Sequence, residues 1–361
     1  MIVAVVGVTG LVGQRMMQVL EERHFPVTEF LPVASERSVG KKVVFAGKEY
    51  TVIGADEAIS RKPELAIFSA GAGASKELAP KFAAVGCRVV DNSSYWRMDP
   101  EKKLVIPEIN PDVLTRDDYI IANPNCTTAI MLEAVAPLHK AKKLKRLVAS
   151  TYQAASGAGA AGMEELAEQM REKAAGKPLT VKAFAHQLLD NLIPHIDKFD
   201  ETNWYTLEEL KMRNEARKML HAPDLMISCT SVRVPIARAH SESLNLEFEN
   251  DITPAEAREI LSKCEGVRVV DDPLNGGYPM PLDATAKYDV LAGRIRQDIS
   301  RDDKKGLEMF VSGDQLLRGA ALNAVEIAEH LCTDVVEPAD GKFLRLARFA
   351  ARDELVREAR R

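Results

Sequence analysis

The 361 residues predict an α/β protein built in two parts, and three features carry that reading. The β-branched run IVAVV meets glycines at Gly7, Gly10 and Gly13, after which residues 14–22 are amphipathic at helical spacing. Further apolar runs at 30–34, 65–69, 88–90 and 119–122 are separated by helix-like segments such as 76–85, the alternation that a parallel sheet with right-handed crossovers produces. From Leu147 the texture changes. VASTYQAASGAG, VRVV, LMISCTSVRVPIARAHSESLNLEF and DVLAGRIRQD read as long strands with few helices between them, which predicts a second, α+β part. Residues 311–330 turn helical after Gly313, and that helix is placed to return to the first part.

Composition narrows the function. An apolar share of 46% fills two cores, and 48 basic against 53 acidic side chains leave a net charge of −5. No basic field recruits nucleic acid or an anionic membrane, so a small-molecule role is expected. Cys87, Cys126, Cys229, Cys264 and Cys332 are odd in number and scattered, as free thiols in a reducing compartment are. The N-terminus lacks a basic segment ahead of its apolar stretch and no apolar run reaches membrane-spanning length, so the expected location is the cytoplasm.

GVTGLVG is G-x-x-G-x-x-G rather than the common G-x-G-x-x-G. Its setting, a strand before and a helix after, is what a Rossmann-type dinucleotide site requires, because backbone there approaches a pyrophosphate at a helix N-terminus. The competing reading is a tight turn with no ligand. Cofactor choice is read at the end of the next strand, in PVASERS: Ser35, Arg37 and Ser38 favour the 2′-phosphate of NADP, Glu36 is the contrary signal, and a solvated loop is the alternative.

ANPNCTTAI places a cysteine between a polar turn and an apolar run. Asn125 is a good N-cap and Pro137 is expected to help end the helix that follows. Cys126 then sits in a first turn, where N–H groups and the helix dipole favour thiolate and can hold an oxyanion. An inert buried cysteine is the alternative. Of seven histidines, His240 stands out at the end of SVRVPIARAH, a run that also holds Arg233 and Arg238. No cluster of residues has metal-ligand spacing.

GVTGLVG, NSSYWRMD (92–99), IPEIN (106–110), ANPNCTTA (122–129), STYQAASGAG (150–159), EELKMRNEARKML (208–220), VRVPIARAHSES (232–243), GRIRQD (293–298) and GDQLLRGAALNA (313–324) follow one another along the chain. Through these motifs, in this order, the sequence resembles the aspartate-β-semialdehyde dehydrogenase family. The resemblance implies NADPH-dependent reductive dephosphorylation of L-aspartyl-4-phosphate to L-aspartate-4-semialdehyde, on the route to lysine, methionine and threonine, by a homodimer. Residue by residue it implies Cys126 as nucleophile, His240 as acid/base and Gln153 as the residue orienting the acyl group. It further implies that Arg233 and Glu208 hold the substrate's α-carboxylate and α-ammonium, and Arg97 and Lys211 its phosphate. By spacing alone Glu208 and Lys211 are an i,i+3 surface pair. For NADP the resemblance implies Thr9, Gly10, Leu11 and Val12, then Ser156, Gly157 and Gln315, with Asn323 as a neighbour.

The division expected is 1–125 plus 313–335 for cofactor binding, 126–312 for catalysis and dimerisation, and 336–361 as an extension. In that extension Phe343, Leu346, Ala347 and Ala350 share one helical face while Arg345, Arg348 and Arg352 share another, as in a basic amphipathic helix docked on protein. Two departures from the family pattern are this extension and AKYDV (286–290), where a glycine is expected. Another acyl phosphate reductase would show different residues around Cys126, and a non-catalytic paralogue would have lost Cys126, His240 or Arg233.

Overall fold

The structure is a computed structural model and describes residues 1–333; the helix expected in the extension lies outside the described residues. Strands β1 (Ile2–Val6) and β2 (Glu29–Val33) are followed by a hairpin of β3 (Lys42–Phe45) and β4 (Lys48–Thr51). Then come β5 (Leu65–Phe68), β6 (Arg88–Asp91), β7 (Lys103–Leu104) and β8 (Ile120–Ala122). Apart from the hairpin these strands form a sheet in the order β2-β1-β5-β6-β8-β7, with every pairing parallel.

Both faces of this sheet are buried, which is why its strands read as unbroken apolar runs rather than alternating ones. Val3 and Val5 pack on one side with α1 (Leu11–Glu22), while Ala4 and Val6 pack on the other with α2 (Ala55–Ser60) and α3 (Ala72–Ala84). The strand order reverses between β1 and β5. At such a switch point the carboxyl ends of two strands open onto a crevice. Gly7 lies there with φ +89°, and a Cβ on it would stand 2.3 Å from the Ser69 carbonyl oxygen. A Cβ on Gly13 would stand 2.3 Å from the Gly7 oxygen, so these two glycines let strand, turn and helix close on one another.

The second sheet contains β9 (Leu144–Gln153), β10 (Met226–Arg233), β11 (His240–Phe248), β12 (Val267–Val269), β13 (Val290–Gln297) and β14 (Gly306–Gly313), in the order β10-β9-β11-β14-β13-β12. It is mixed: β9 with β10 and β12 with β13 are parallel, the other pairs antiparallel. Helices α4 (Cys126–Lys142), α6 (Leu207–Met219) and α7 (Pro254–Ser262) cover one face. The opposite face leaves Tyr152, Met226 and Thr230 exposed. Two further helices, α5 (Gly159–Ala174) and α8 (Pro281–Ala284), lie in the connections, and α9 (Leu322–Thr333) returns to pack with α1 on the first sheet.

Two expectations need correction. Helix α4 passes through Pro137 and ends at Lys142. An interior proline costs about 3 kcal/mol, but Ile130, Met131, Val135 and Leu138 of α4 are wholly buried, and each such side chain contributes about 1.5–3 kcal/mol. Tertiary burial therefore outweighs the local break. After Gly313 the chain is not α-helical at once: a turn and a π-helical segment, Leu317–Ala321, precede α9. Gly319 of that segment lies against the start of α4, where a Cβ would stand 2.7 Å from Cys126 Cβ.

Ala286, in the segment where a glycine was expected, adopts φ +59°, and its N–H donates to Asp314 Oδ2 at 2.6 Å. Left-handed backbone is unfavourable for alanine and free for glycine. Ala286→Gly should therefore stabilise the protein by about 0.5–1 kcal/mol, read as a higher denaturant midpoint at unchanged slope; a lower midpoint would refute the strain.

Candidate active site

Topology brings the key side chains to one end of three neighbouring strands. Arg233 closes β10 and stands opposite Gln153, which closes the parallel β9. The break at 234–239 reverses the chain so that β11, antiparallel to β9, opens with His240 at that same end. Helix α4 begins here too, and a cleft of about 300 Å³ is lined by Cys126, Gln153, Arg233, His240, Arg97, Glu208 and Lys211. All seven residues expected for catalysis and substrate binding are thus brought together.

Cys126 is the first residue of α4, and the Asn125 side chain caps the helix by accepting from the N–H groups of Thr127 and Thr128, each at 3.0 Å. Those two donors are occupied. Of the first-turn groups expected to hold an oxyanion, the Cys126 N–H is the one without a partner among the described residues. The expectation of a favoured thiolate also needs correction: burial and the nearby Glu208 carboxylate push the thiol up to about 11, with Thr127, Arg97 and Arg233 opposing. In the free protein Cys126 is a thiol. Its alkylation by iodoacetamide, followed by mass spectrometry of its own peptide, should accelerate about tenfold per pH unit from pH 7 to near pH 10. A plateau near neutrality would refute the raised value.

His240 is fully buried; its Nδ1 accepts the Ala154 N–H at 3.1 Å, so the neutral ring carries its proton on Nε2. Nε2 is buried and unpartnered, and it faces Gly157, where a Cβ would stand 3.1 Å away. Burial first, and then Arg233, hold the imidazole well below its usual range, which keeps it neutral. Two residues along β11, Glu242 is also buried with both oxygens unpaired among the described residues; burial and Glu208 push its carboxyl well up.

Around the cysteine runs a connected polar network. Glu208 Oε1 accepts from Asn125 Nδ2 at 3.0 Å, Gln153 Nε2 at 3.1 Å and Thr127 Oγ1 at 3.3 Å, while Oε2 takes Lys211 Nζ at 3.2 Å. Burial alone would raise this carboxyl, but Lys211, Asn125 and Gln153 outweigh it and hold Glu208 below the usual range. The i,i+3 pair of Glu208 and Lys211 is real, yet it faces the cleft rather than open solvent. Gln153 also donates to Thr127 Oγ1 at 2.7 Å, so both its amide protons are engaged. Arg233 donates from Nη1 to the Ala154 carbonyl at 2.6 Å and has no carboxylate within ion-pair distance among the described residues. Arg97 donates to the carbonyls of Asn123 and Asn92 at 2.9 and 2.8 Å and pairs with Glu215 at 3.2 Å.

Glu215 and Gly319 are site residues that the sequence reading missed. The other Glu215 oxygen accepts the Asn125 N–H at 2.6 Å, which ties Arg97 to the residue before the nucleophile. Its signal was its position seven residues after Glu208, on the same face of α6. Gly319 had no local signal, since only packing against Cys126 demands it.

The cofactor residues fall in two places. Helix α1 starts at Leu11 with Gly10 as its N-cap and no side-chain cap, so the N–H groups of Leu11, Val12 and Gly13 stay available to an anion in the crevice beside Gly7 and Thr9. That donor set suits a pyrophosphate. After β2, Ser35 and Arg37 are exposed, whereas Ser38 is buried and its Oγ accepts from Lys41 Nζ at 3.3 Å. Ser156 and Gly157 follow β9 beside His240 and Arg233. Gln315 donates to Ser156 Oγ and accepts the Ala239 N–H at 2.9 Å, and so steadies the residue before His240. Asn323 lies in the core, bonded to Asn123 Oδ1 at 2.5 Å.

Comparison with known proteins places the chain among relatives. Residues 2–116 match the family described as semialdehyde dehydrogenase, NAD binding domain, and residues 135–318 match semialdehyde dehydrogenase, dimerisation domain. The aspartate-semialdehyde dehydrogenase of Aquifex aeolicus is 49% identical over 333 residues, covering 91% of this chain and 97% of its own. That of Bacillus subtilis is 44% identical over 337 residues, covering 91% and 96%. Among solved structures, aspartate semialdehyde dehydrogenase II from Vibrio cholerae complexed with ASA superposes with a TM-score of 0.89 at 40% identity, covering 93% of this chain and 99% of that one. With two family models and these relatives matching nearly its whole described length, the chain belongs to the aspartate-semialdehyde dehydrogenase family.

Proposed function

We propose that the protein catalyses the NADPH-dependent reductive dephosphorylation of L-aspartyl-4-phosphate to L-aspartate-4-semialdehyde, in the biosynthesis of lysine through diaminopimelate, and of methionine and threonine. The observation that carries this reading is a helix-start cysteine sharing one cleft with a neutral histidine and a buried arginine that has no carboxylate partner among the described residues. The Vibrio cholerae relative, whose structure is described as complexed with ASA, supports it.

The Cys126 thiol passes its proton to solvent and the resulting thiolate attacks the acyl carbon; the C–O bond to phosphate breaks, and phosphate leaves toward Arg97 and Lys211. The Cys126 N–H and His240 Nε2–H are the donors for the oxygen that gains charge. Covalent capture splits one hard step into two easier ones. The turn of Gly7, Thr9, Gly10, Leu11, Val12 and Gly13 would hold NADPH, which would supply a hydride equivalent when bound. His240 holds a proton at Nε2 for the oxygen on the Cys126-bound carbon and takes it back as the C–S bond breaks. Arg233 and Glu208 keep the α-carboxylate and α-ammonium in place throughout, and Gln153, once it gives up one of its two bonds, orients the acyl group.

Exposed Ser35 and Arg37 support NADP over NAD. The dimerisation-domain match and the uncovered face of the second sheet support a homodimer. Among the described residues no helix is long and apolar enough to cross a membrane, and our reading remains a cytoplasmic enzyme. We retain the division into 1–125 plus 313–335 for NADP, 126–312 for catalysis and dimerisation, and 336–361 as an extension. The test is the reverse reaction, with aspartate semialdehyde, phosphate and NADP. Phosphate-dependent NADPH formation is expected, and its absence would sink the proposal. Equal rates with NAD would discard the cofactor preference alone.

A further inference from the structure

Three cations face the cleft, and they are not equivalent. Lys211 is ion-paired to Asp197 at 2.7 Å and Glu208 at 3.2 Å, and Arg97 to Glu215 at 3.2 Å. Arg233 alone lacks a carboxylate partner among the described residues. Under the reaction proposed above, the charges these groups meet differ in lifetime. An α-carboxylate stays bound for the whole turnover, whereas phosphate must leave the cations that received it. The unpaired arginine therefore serves the permanent charge, and the cations already carrying carboxylates serve the transient one.

Asp197 is the counter-charge that nothing in the reaction itself requires. It lies in the connection between α5 and α6, one residue after Ile196, which lines the cleft. The connection is anchored where Ile193 exchanges backbone hydrogen bonds with Arg233, at 3.0 and 2.8 Å. Asp197 adopts φ +69°, and its Oδ1 accepts the N–H of Lys198 at 2.8 Å, which leaves Oδ2 aimed at Lys211. Its side chain keeps 33% of its exposure, so water can take it over when another anion claims the lysine.

We propose that Asp197 sets the phosphate affinity of the cleft, as a built-in competitor that pairs with Lys211 whenever phosphate is absent and so makes phosphate release easy. Binding of phosphate to Lys211 must displace or share this partner, and departure of phosphate restores it. Asp197 is thus a positioning residue with an electrostatic role: it weakens the hold on phosphate and leaves the hold on the aldehyde's own charges to Arg233 and Glu208. The opposite role, in which Asp197 merely steadies Lys211 for phosphate, predicts the opposite sign.

Asp197→Asn separates the two. Asparagine tolerates the left-handed backbone and keeps an acceptor for the Lys198 N–H, but it removes the charge. In the aldehyde-oxidising direction with the full chain, the KM for phosphate should fall about three- to tenfold, while the KM for aldehyde stays within about twofold. The concentration of inorganic phosphate that half-protects Cys126 from iodoacetamide should fall by the same factor. With Lys211→Met already present, Asp197→Asn should no longer lower either value, because its effect acts through that lysine. A phosphate KM unchanged or raised by Asp197→Asn overturns the proposal, as does a fall that persists without Lys211. If the wild type shows no phosphate-dependent reaction, the functional reading fails instead, and protection of Cys126 by phosphate still decides the role of Asp197.

Discussion

Cys126→Ala should lower kcat for phosphate-dependent oxidation of aspartate semialdehyde by at least about 10⁴-fold, because it removes the sulfur on which the proposed covalent intermediate forms. Alanine keeps the Cβ against which Gly319 packs, so the loss should come without a large change in stability. Activity within tenfold of wild type, with a cooperative unfolding transition in both proteins, would remove Cys126 from the chemistry. His240 does not substitute: Nδ1 is committed to the Ala154 N–H, and Arg233 and burial disfavour its charged form.

Arg233→Leu should lower kcat/KM for the aldehyde by about 10²- to 10⁴-fold, the range expected when one partner of a buried charge pair is truncated. Arg233 is 6% exposed, and its guanidinium is placed by the Ala154 carbonyl and by Phe184, whose ring centre lies 5.9 Å away. The KM for phosphate should move far less, since phosphate is received by Arg97 and Lys211. A second effect has a definite sign. Arg233 helps depress the His240 imidazole, after burial, so its removal lets that value rise. A depressed histidine stays neutral down to low pH; raised, it becomes protonated at higher pH. The acidic limb of the pH–rate profile should therefore shift upward in the leucine variant. A small kcat/KM change together with an unmoved acidic limb would show that Arg233 faces neither the substrate nor the histidine.

Much of this site is legible in the sequence. The Asn125 cap, the cysteine in the first turn and the strand–glycine–helix entry are local, because capping, helix dipoles and glycine turns act over a few residues. Arg233, His240 and Gln153 were legible as residues of strand-like segments, but their meeting was not. It requires β10 to lie parallel and β11 antiparallel to β9, and pairing of strands is a long-range choice. The misjudged end of α4 has the same origin: a proline reports a local cost, and burial of the helix on the second sheet exceeded it.

The state of the cysteine shows the division most clearly. ANPNCTTAI alone determined that Cys126 stands at a helix start, since cap and helix are written in contiguous residues. Whether it rests as thiolate or thiol was decided only by the tertiary structure. Asn125 satisfies two of the helix-start N–H groups, those of Thr127 and Thr128, and the fold brings a buried carboxylate, Glu208, from eighty-two positions away. Burial and charge act through space rather than along the chain, and here desolvation of the sulfur first, with the Glu208 carboxylate second, raises the thiol.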